Sequence, residues 1–179
     1  MKTQALWAFG FYYIFRRIQM ESKVYIHYGS DHFDADRFKV VKNREGVFGI
    51  GSKPDPGTGL WGSPVNATHS WEEWCESQDF NTDKLDKSFK FTVRHPEKIL
   101  YIDSNESLDS LFDIYGMIDI GNWPKTFVSP ALDFNKMKRD GYVAMEISIS
   151  SHWRIYDELY GWDCDSIVVF YADEVCVIE

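Results

Sequence analysis

Val24-Tyr25-Ile26-His27-Tyr28-Gly29-Ser30 is a short apolar and aromatic run that ends in a histidine with a glycine just beyond it. Its alternation and its β-favouring residues predict a strand, which Gly29 and Ser30 close. A histidine at the end of a core strand is held by the sheet while its ring edge can face a cleft, so its donor and acceptor are fixed in space. His27 is therefore a candidate anchor of a small-molecule site, beside the commoner role of a buried histidine bonded to a neighbouring carbonyl.

Working outward, the 179 residues suffice for one domain with a core that needs no staples. Hydrophobic residues make up 44% and charged residues 26%, which is a globular rather than a disordered balance. Aromatic residues at 17% suit either flat stacking surfaces or an aromatic core. A net charge of -9 opposes binding to a phosphate backbone, so no nucleic-acid partner is expected. Cys75, Cys164 and Cys176 lie far apart or off any metal spacing, which predicts neither a disulfide framework nor a zinc site and points to a reducing, cytoplasmic location. The apolar run Leu6 to Phe15 is shorter than the roughly 20 residues that span a bilayer, so no membrane span is expected. It ends in Arg16-Arg17, without a signal-peptide cleavage pattern. Residues 1–19 read either as an extension before a start at Met20 or as a short amphipathic helix, and residues 20–179 as the domain.

Asp31-His32-Phe33-Asp34-Ala35-Asp36 fits a polar turn or, less specifically, metal ligands. Gly49 to Gly59 reads as a mobile loop; Gly49-Ile50-Gly51 lacks the third glycine that opens a helix in a dinucleotide fingerprint. Gly59-Leu60-Trp61-Gly62-Ser63-Pro64 predicts a glycine-bounded strand, and Ser70 with Glu73 a capping box that opens a helix over 71–78. Strands follow over 89–93 and 98–103 around a turn at Pro96. Leu108, Leu111, Phe112 and Tyr115 recur at helical spacing with Ser107 or Asn105 as cap, and a short helix covers 134–139 after an irregular stretch at 121–130. Strands over 142–147 and 166–171 flank an aromatic-rich insertion, Trp153 to Trp162, and 174–178 forms a final edge or hairpin partner. Asp163 and Asp165 stand at the mouth of a buried strand, where two poorly solvated carboxylates repel, so one of them is expected to have a binding partner. The sum is an α+β single domain with a mixed, mostly antiparallel sheet and short flanking helices.

The His27-Tyr28-Gly29-Ser30 strand end, the Gly59 to Pro64 strand, the aromatic Trp71 beyond it and an acidic residue opening the Ile167-Val168-Val169-Phe170 strand together resemble the ADP-ribosyltransferase superfamily, in its diphtheria-toxin-like and poly(ADP-ribose)-polymerase-like branch. The resemblance implies a split sheet and NAD as substrate. It implies that His27 hydrogen-bonds the adenosine-side ribose, that the Gly29 backbone, beside Tyr28, holds the nicotinamide amide, and that Trp71 stacks on the nicotinamide. Trp61, with Ser63 beside it, stands where the family has a tyrosine, and Asp165, or Asp163 as second candidate, where it has its catalytic glutamate. The implied activity is transfer of ADP-ribose from NAD to a macromolecular, protein acceptor with release of nicotinamide and without a metal. The residue types suit it, because a carboxylate near the sugar stabilises the positive charge that develops as the glycosidic bond breaks. An NAD glycohydrolase would share the site. A non-catalytic interaction scaffold of viral or mobile-element type would share only the sheet, and is distinguished by whether His27, Trp71 and Asp165 line one cleft.

Overall fold

A computed structural model describes residues 23–44, 52–117, 131–159 and 161–178. The extension 1–19, the glycines at 49 and 51 and the irregular stretch 121–130 lie outside the described residues. Nine strands are described: β1 (Tyr25–Tyr28), β2 (Leu60–Pro64), β3 (Ser88–Val93), β4 (Ile99–Ile102), β5 (Gly116–Met117), β6 (Ala131–Leu132), β7 (Ala144–Ile147), β8 (Ser166–Val169) and β9 (Val175–Ile178). The helices are α1 (Trp71–Gln78), α2 (Asn105–Tyr115), α3 (Phe134–Arg139) and α4 (Trp153–Glu158). The fold is α+β. Seven strands form one mixed sheet in the order β4-β7-β8-β2-β1-β3-β9, parallel only where β4 meets β7, while β5 and β6 make a separate ribbon.

Side-chain alternation along these strands builds two cores. On β8, Ile167 and Val169 point to one face with Tyr25, Phe91 and Val175, while Val168 points to the other and packs under the helices. That is why the segment reads as a continuous apolar run: it is buried on both faces. The helices contribute Leu108, Leu111, Phe134, Met137 and Ile155 to the second core.

The sheet curls on itself. In the strand order β1 lies three strands from β7, about 14 Å away in a flat sheet. Yet the Tyr25 hydroxyl donates to the Glu146 carboxylate at 2.6 Å, and Lys23 donates to the other oxygen at 2.8 Å. Burial, and then the charge of Glu146, hold the Tyr25 phenol far above its ordinary pKa, so it stays a donor. Tyr25→Phe is expected to cost about 2 kcal/mol, the worth of a hydrogen bond to a charged group. Thermal melts check it, and an unchanged midpoint would show that the link across the curl contributes nothing.

Two expected caps differ. α2 is capped by Ser104, whose hydroxyl accepts from the Ser107 N–H while the Ser107 side chain answers the Ser104 backbone; Asn105 is already helical. Ser70 does cap α1 by accepting from Glu73 N–H at 3.2 Å, but the Glu73 carboxylate lies 3.7 Å from His69. β3 and β4 flank the turn at Pro96 as expected, though they lie in different regions of the sheet, and β9 takes the expected edge position, paired with β3. Among the described residues, no helix is long and apolar enough to cross a membrane.

Candidate active site

β1 and β2 are laddered only at Tyr25–Pro64 and Ile26–Ser63. The first half of β2, Leu60 to Gly62, pairs instead with Val169 to Ile167 of β8. Because β2 changes partner along its length, the sheet opens between the end of β1 and the start of β2. A cleft of ≈ 260 Å³ lies there, lined by His27 and Tyr28 of β1, Trp61 to Ser63 of β2, Trp71 of α1, Lys53, and the segment Gly161 to Cys164 that leads into β8. It is just below the roughly 300–1,000 Å³ of ordinary ligand pockets, so a ligand as long as a dinucleotide would extend out of it.

The root of the opening is bridged by His27, whose ring Nδ1 lies 2.7 Å from the Trp61 carbonyl and so must carry the proton. Burial lowers the His27 pKa, with this bond opposing the shift, so the ring is neutral at pH 7 and presents Nε2 as an acceptor. The unfolded chain takes up this proton around pH 6.5, the folded chain only at lower pH, so stability falls as pH drops below about 6.5 and is unaffected above it. His27→Gln is expected to flatten that acid slope; urea midpoints between about pH 7.5 and 5 measure it, and parallel curves for both proteins would refute it.

Main-chain groups matter as much. The Gly29 N–H donates to the Lys87 carbonyl at 2.8 Å, on the β3 side. Successive residues of a strand present these groups to alternate sides, so the N–H and C=O of Tyr28 point toward β2, where the ladder has already ended. Tyr28, rather than Gly29, therefore offers a paired donor and acceptor to the cleft. Gly29 is not among the lining residues. The Tyr28 hydroxyl donates to Glu72 at 2.7 Å and ties the strand end to α1; burial, then Glu72, raises its pKa.

Aromatic faces supply the walls. Trp61 packs against Trp162 with ring centroids 4.7 Å apart, and Trp71 is stacked on Trp74 at 5.1 Å. Buried Ser63 fixes Trp71, because its hydroxyl oxygen accepts the Trp71 N–H at 3.0 Å. Cys164 lies 3.1 Å from the Ser166 hydroxyl, and burial pushes its thiol up to about 11, so it stays protonated and unreactive at neutral pH.

The two acidic candidates part company. Asp163 lines the cleft, its side chain 33% exposed, with the Lys53 ammonium 3.7 Å away. Asp165 is buried behind the lining: it accepts the Ser150 N–H at 3.0 Å and the Ser150 hydroxyl at 2.6 Å, and its own N–H donates to the His69 carbonyl at 2.8 Å. Both carboxylates thus have partners, Asp163 an ammonium and Asp165 two hydrogen-bond donors, and Asp165 clamps the entry of β8 to the segments on either side. His27, Tyr28, Trp61, Ser63, Trp71 and Asp163 are brought together; Asp165 and Gly29 stand outside.

No family model, no curated protein and no solved structure matches the chain. The cleft offers aromatic faces, main-chain groups of Tyr28, a neutral imidazole with Nε2 as acceptor, one carboxylate and one ammonium. Among the described residues no three His, Cys, Asp or Glu side chains are placed to hold a metal ion. In the 31–36 turn the Asp34 carboxylate caps a short 3-10 turn by accepting from Asp36 and Arg37 N–H. Sequence reasoning missed Trp162 and Lys53. Trp162 was visible as the residue before Asp163 at the end of the aromatic insertion, whereas nothing distinguishes Lys53 within its glycine-rich loop.

Proposed function

We propose that the chain is an NAD-dependent ADP-ribosyltransferase that moves ADP-ribose from NAD to a protein acceptor and releases nicotinamide, on a divergent version of the ADP-ribosyltransferase split sheet. One observation supports the reading: β1, β2, α1 and the entry to β8 bring His27, Trp61, Trp71 and Asp163 into one cleft. Asp165, the first acidic candidate, is not part of it, so the set His27, Trp71 and Asp165 does not line one cleft and the reading rests on Asp163, the second candidate.

In this reading the nicotinamide ring lies against the Trp71 and Trp61–Trp162 faces, its carboxamide exchanging hydrogen bonds with the Tyr28 main chain. His27 Nε2 accepts a hydroxyl of the adenosine-side ribose. Asp163 faces the nicotinamide ribose. The bond between the nicotinamide nitrogen and the sugar breaks with its electron pair leaving on nicotinamide, and the sugar gains oxocarbenium character. An anionic carboxylate beside it is worth most at that moment. An acceptor nucleophile then attacks the same carbon and gives up its proton to water.

The test is nicotinamide release from NAD by the purified protein, with and without a cell lysate carrying acceptors. Release together with labelled lysate proteins is expected. Release with no labelled protein would move the reading to an NAD glycohydrolase. NAD binding with no release in any lysate would overturn catalysis altogether.

A further inference from the structure

We propose that Lys53 recognises the anionic part of the ligand, exchanging its pairing with Asp163 for that part. This rests on the NAD reading above and names which residue meets the diphosphate. Among the described lining residues Lys53 carries the one full positive charge, because His27 is neutral. Its ammonium lies 3.7 Å from the Asp163 carboxylate and 5.6 Å above the Trp61 ring, on a side chain 28% exposed. That separation is beyond a formed hydrogen bond, so the pair is a loose one between two partly solvated groups. An ammonium on a flexible four-carbon stem is a point charge that changes partners at little cost, and the tryptophan face steadies it in either position.

The consequence is a partner exchange. A chain of net charge -9 whose cleft holds a carboxylate repels a diphosphate unless a cation stands at that point. A diphosphate, with more charge than one carboxylate, draws the ammonium away. Asp163 is then released to accept the ribose hydroxyl, which it serves poorly while paired. Lys53 is on this account a positioning and specificity residue that never touches the bond being broken.

The experiment is calorimetric titration of the wild type, Lys53→Gln and Lys53→Arg with three probes: NAD, nicotinamide riboside, which keeps the ring and sugar without phosphate, and ADP. Lys53→Gln is expected to weaken NAD and ADP by about tenfold or more and nicotinamide riboside by less than about twofold, with Lys53→Arg largely restoring the first two. Equal NAD affinity in wild type and Lys53→Gln, or an equal loss for nicotinamide riboside, overturns the role of Lys53 while the NAD reading stands. ADP binding that depends on Lys53, with no binding of NAD or nicotinamide riboside, supports the anion role and overturns the NAD reading. Binding of none of the three overturns both.

Discussion

Asp163→Asn is expected to lower nicotinamide release from NAD by at least about 100-fold, or about 2.7 kcal/mol of barrier, while the thermal midpoint stays where it was. The amide keeps the shape of the side chain and removes its charge, so only an interaction with developing positive charge is lost. Stability is spared because the carboxylate is one-third exposed and its ion pair with Lys53 is a loose 3.7 Å. Asp165→Asn is expected to do the reverse. Both oxygens of Asp165 accept from Ser150, one from its N–H and one from its hydroxyl, and an amide removes the charge that strengthens both bonds and makes the hydroxyl turn round to accept. The cost is about 2 kcal/mol of stability, with release falling only as far as the β8 entry loosens. Nicotinamide chromatography beside thermal melts reads both effects. Full activity in Asp163→Asn with inactivity in a stable Asp165→Asn would exchange the two roles.

Gly59→Ala is expected to be the most damaging small change to the fold. Gly59 has φ +72, in the left-handed region, and a Cβ there would meet Val41 Cγ2 at 2.6 Å, Val168 Cγ2 at 2.7 Å and the Val169 carbonyl at 2.9 Å. The carbonyl belongs to β8 and cannot swing away, and the Gly59 N–H is committed to the Lys39 carbonyl at 2.7 Å. A left-handed alanine costs about 1–2 kcal/mol and forced packing a further 1–3, so about 3 kcal/mol in all. At this size the midpoint is expected to fall by roughly 6–12 °C. Gly59 precedes β2, so the same strain disturbs the opening of the sheet, and activity should fall with stability. An unchanged midpoint would show that the close approach of β2 and β8 is not as described.

Sequence periodicity located these strands well because their alternation reports which face is buried. It had no means of showing that β2 changes partner at Gly62, since that depends on β8, about a hundred residues away in the chain, and this change of partner is what creates the cleft. The ambiguity between Asp163 and Asp165 has the same origin. Two residues apart at a strand entry they share a chemical type, and they are separated only by Ser150, delivered by the turn after β7. The Gly29 N–H faces β3, so by strand parity the main-chain groups on the cleft side are those of Tyr28, which the sequence alone does not distinguish. His27 was legible because a histidine closing an apolar run is rare enough to notice, and its bond to Trp61 unites the two readings of it, a carbonyl-bonded ring that also faces a cleft.

A nicotinamide site in the opening between β1 and β2 is tested most directly by titrating NAD into isotope-labelled protein and following amide and indole N–H resonances. The Tyr28 amide and the indoles of Trp61, Trp71 and Trp162 are expected to move together and saturably, while Trp153 on the exposed face of α4 stays still. Shifts confined to other surfaces, or none at saturating NAD, would contradict it.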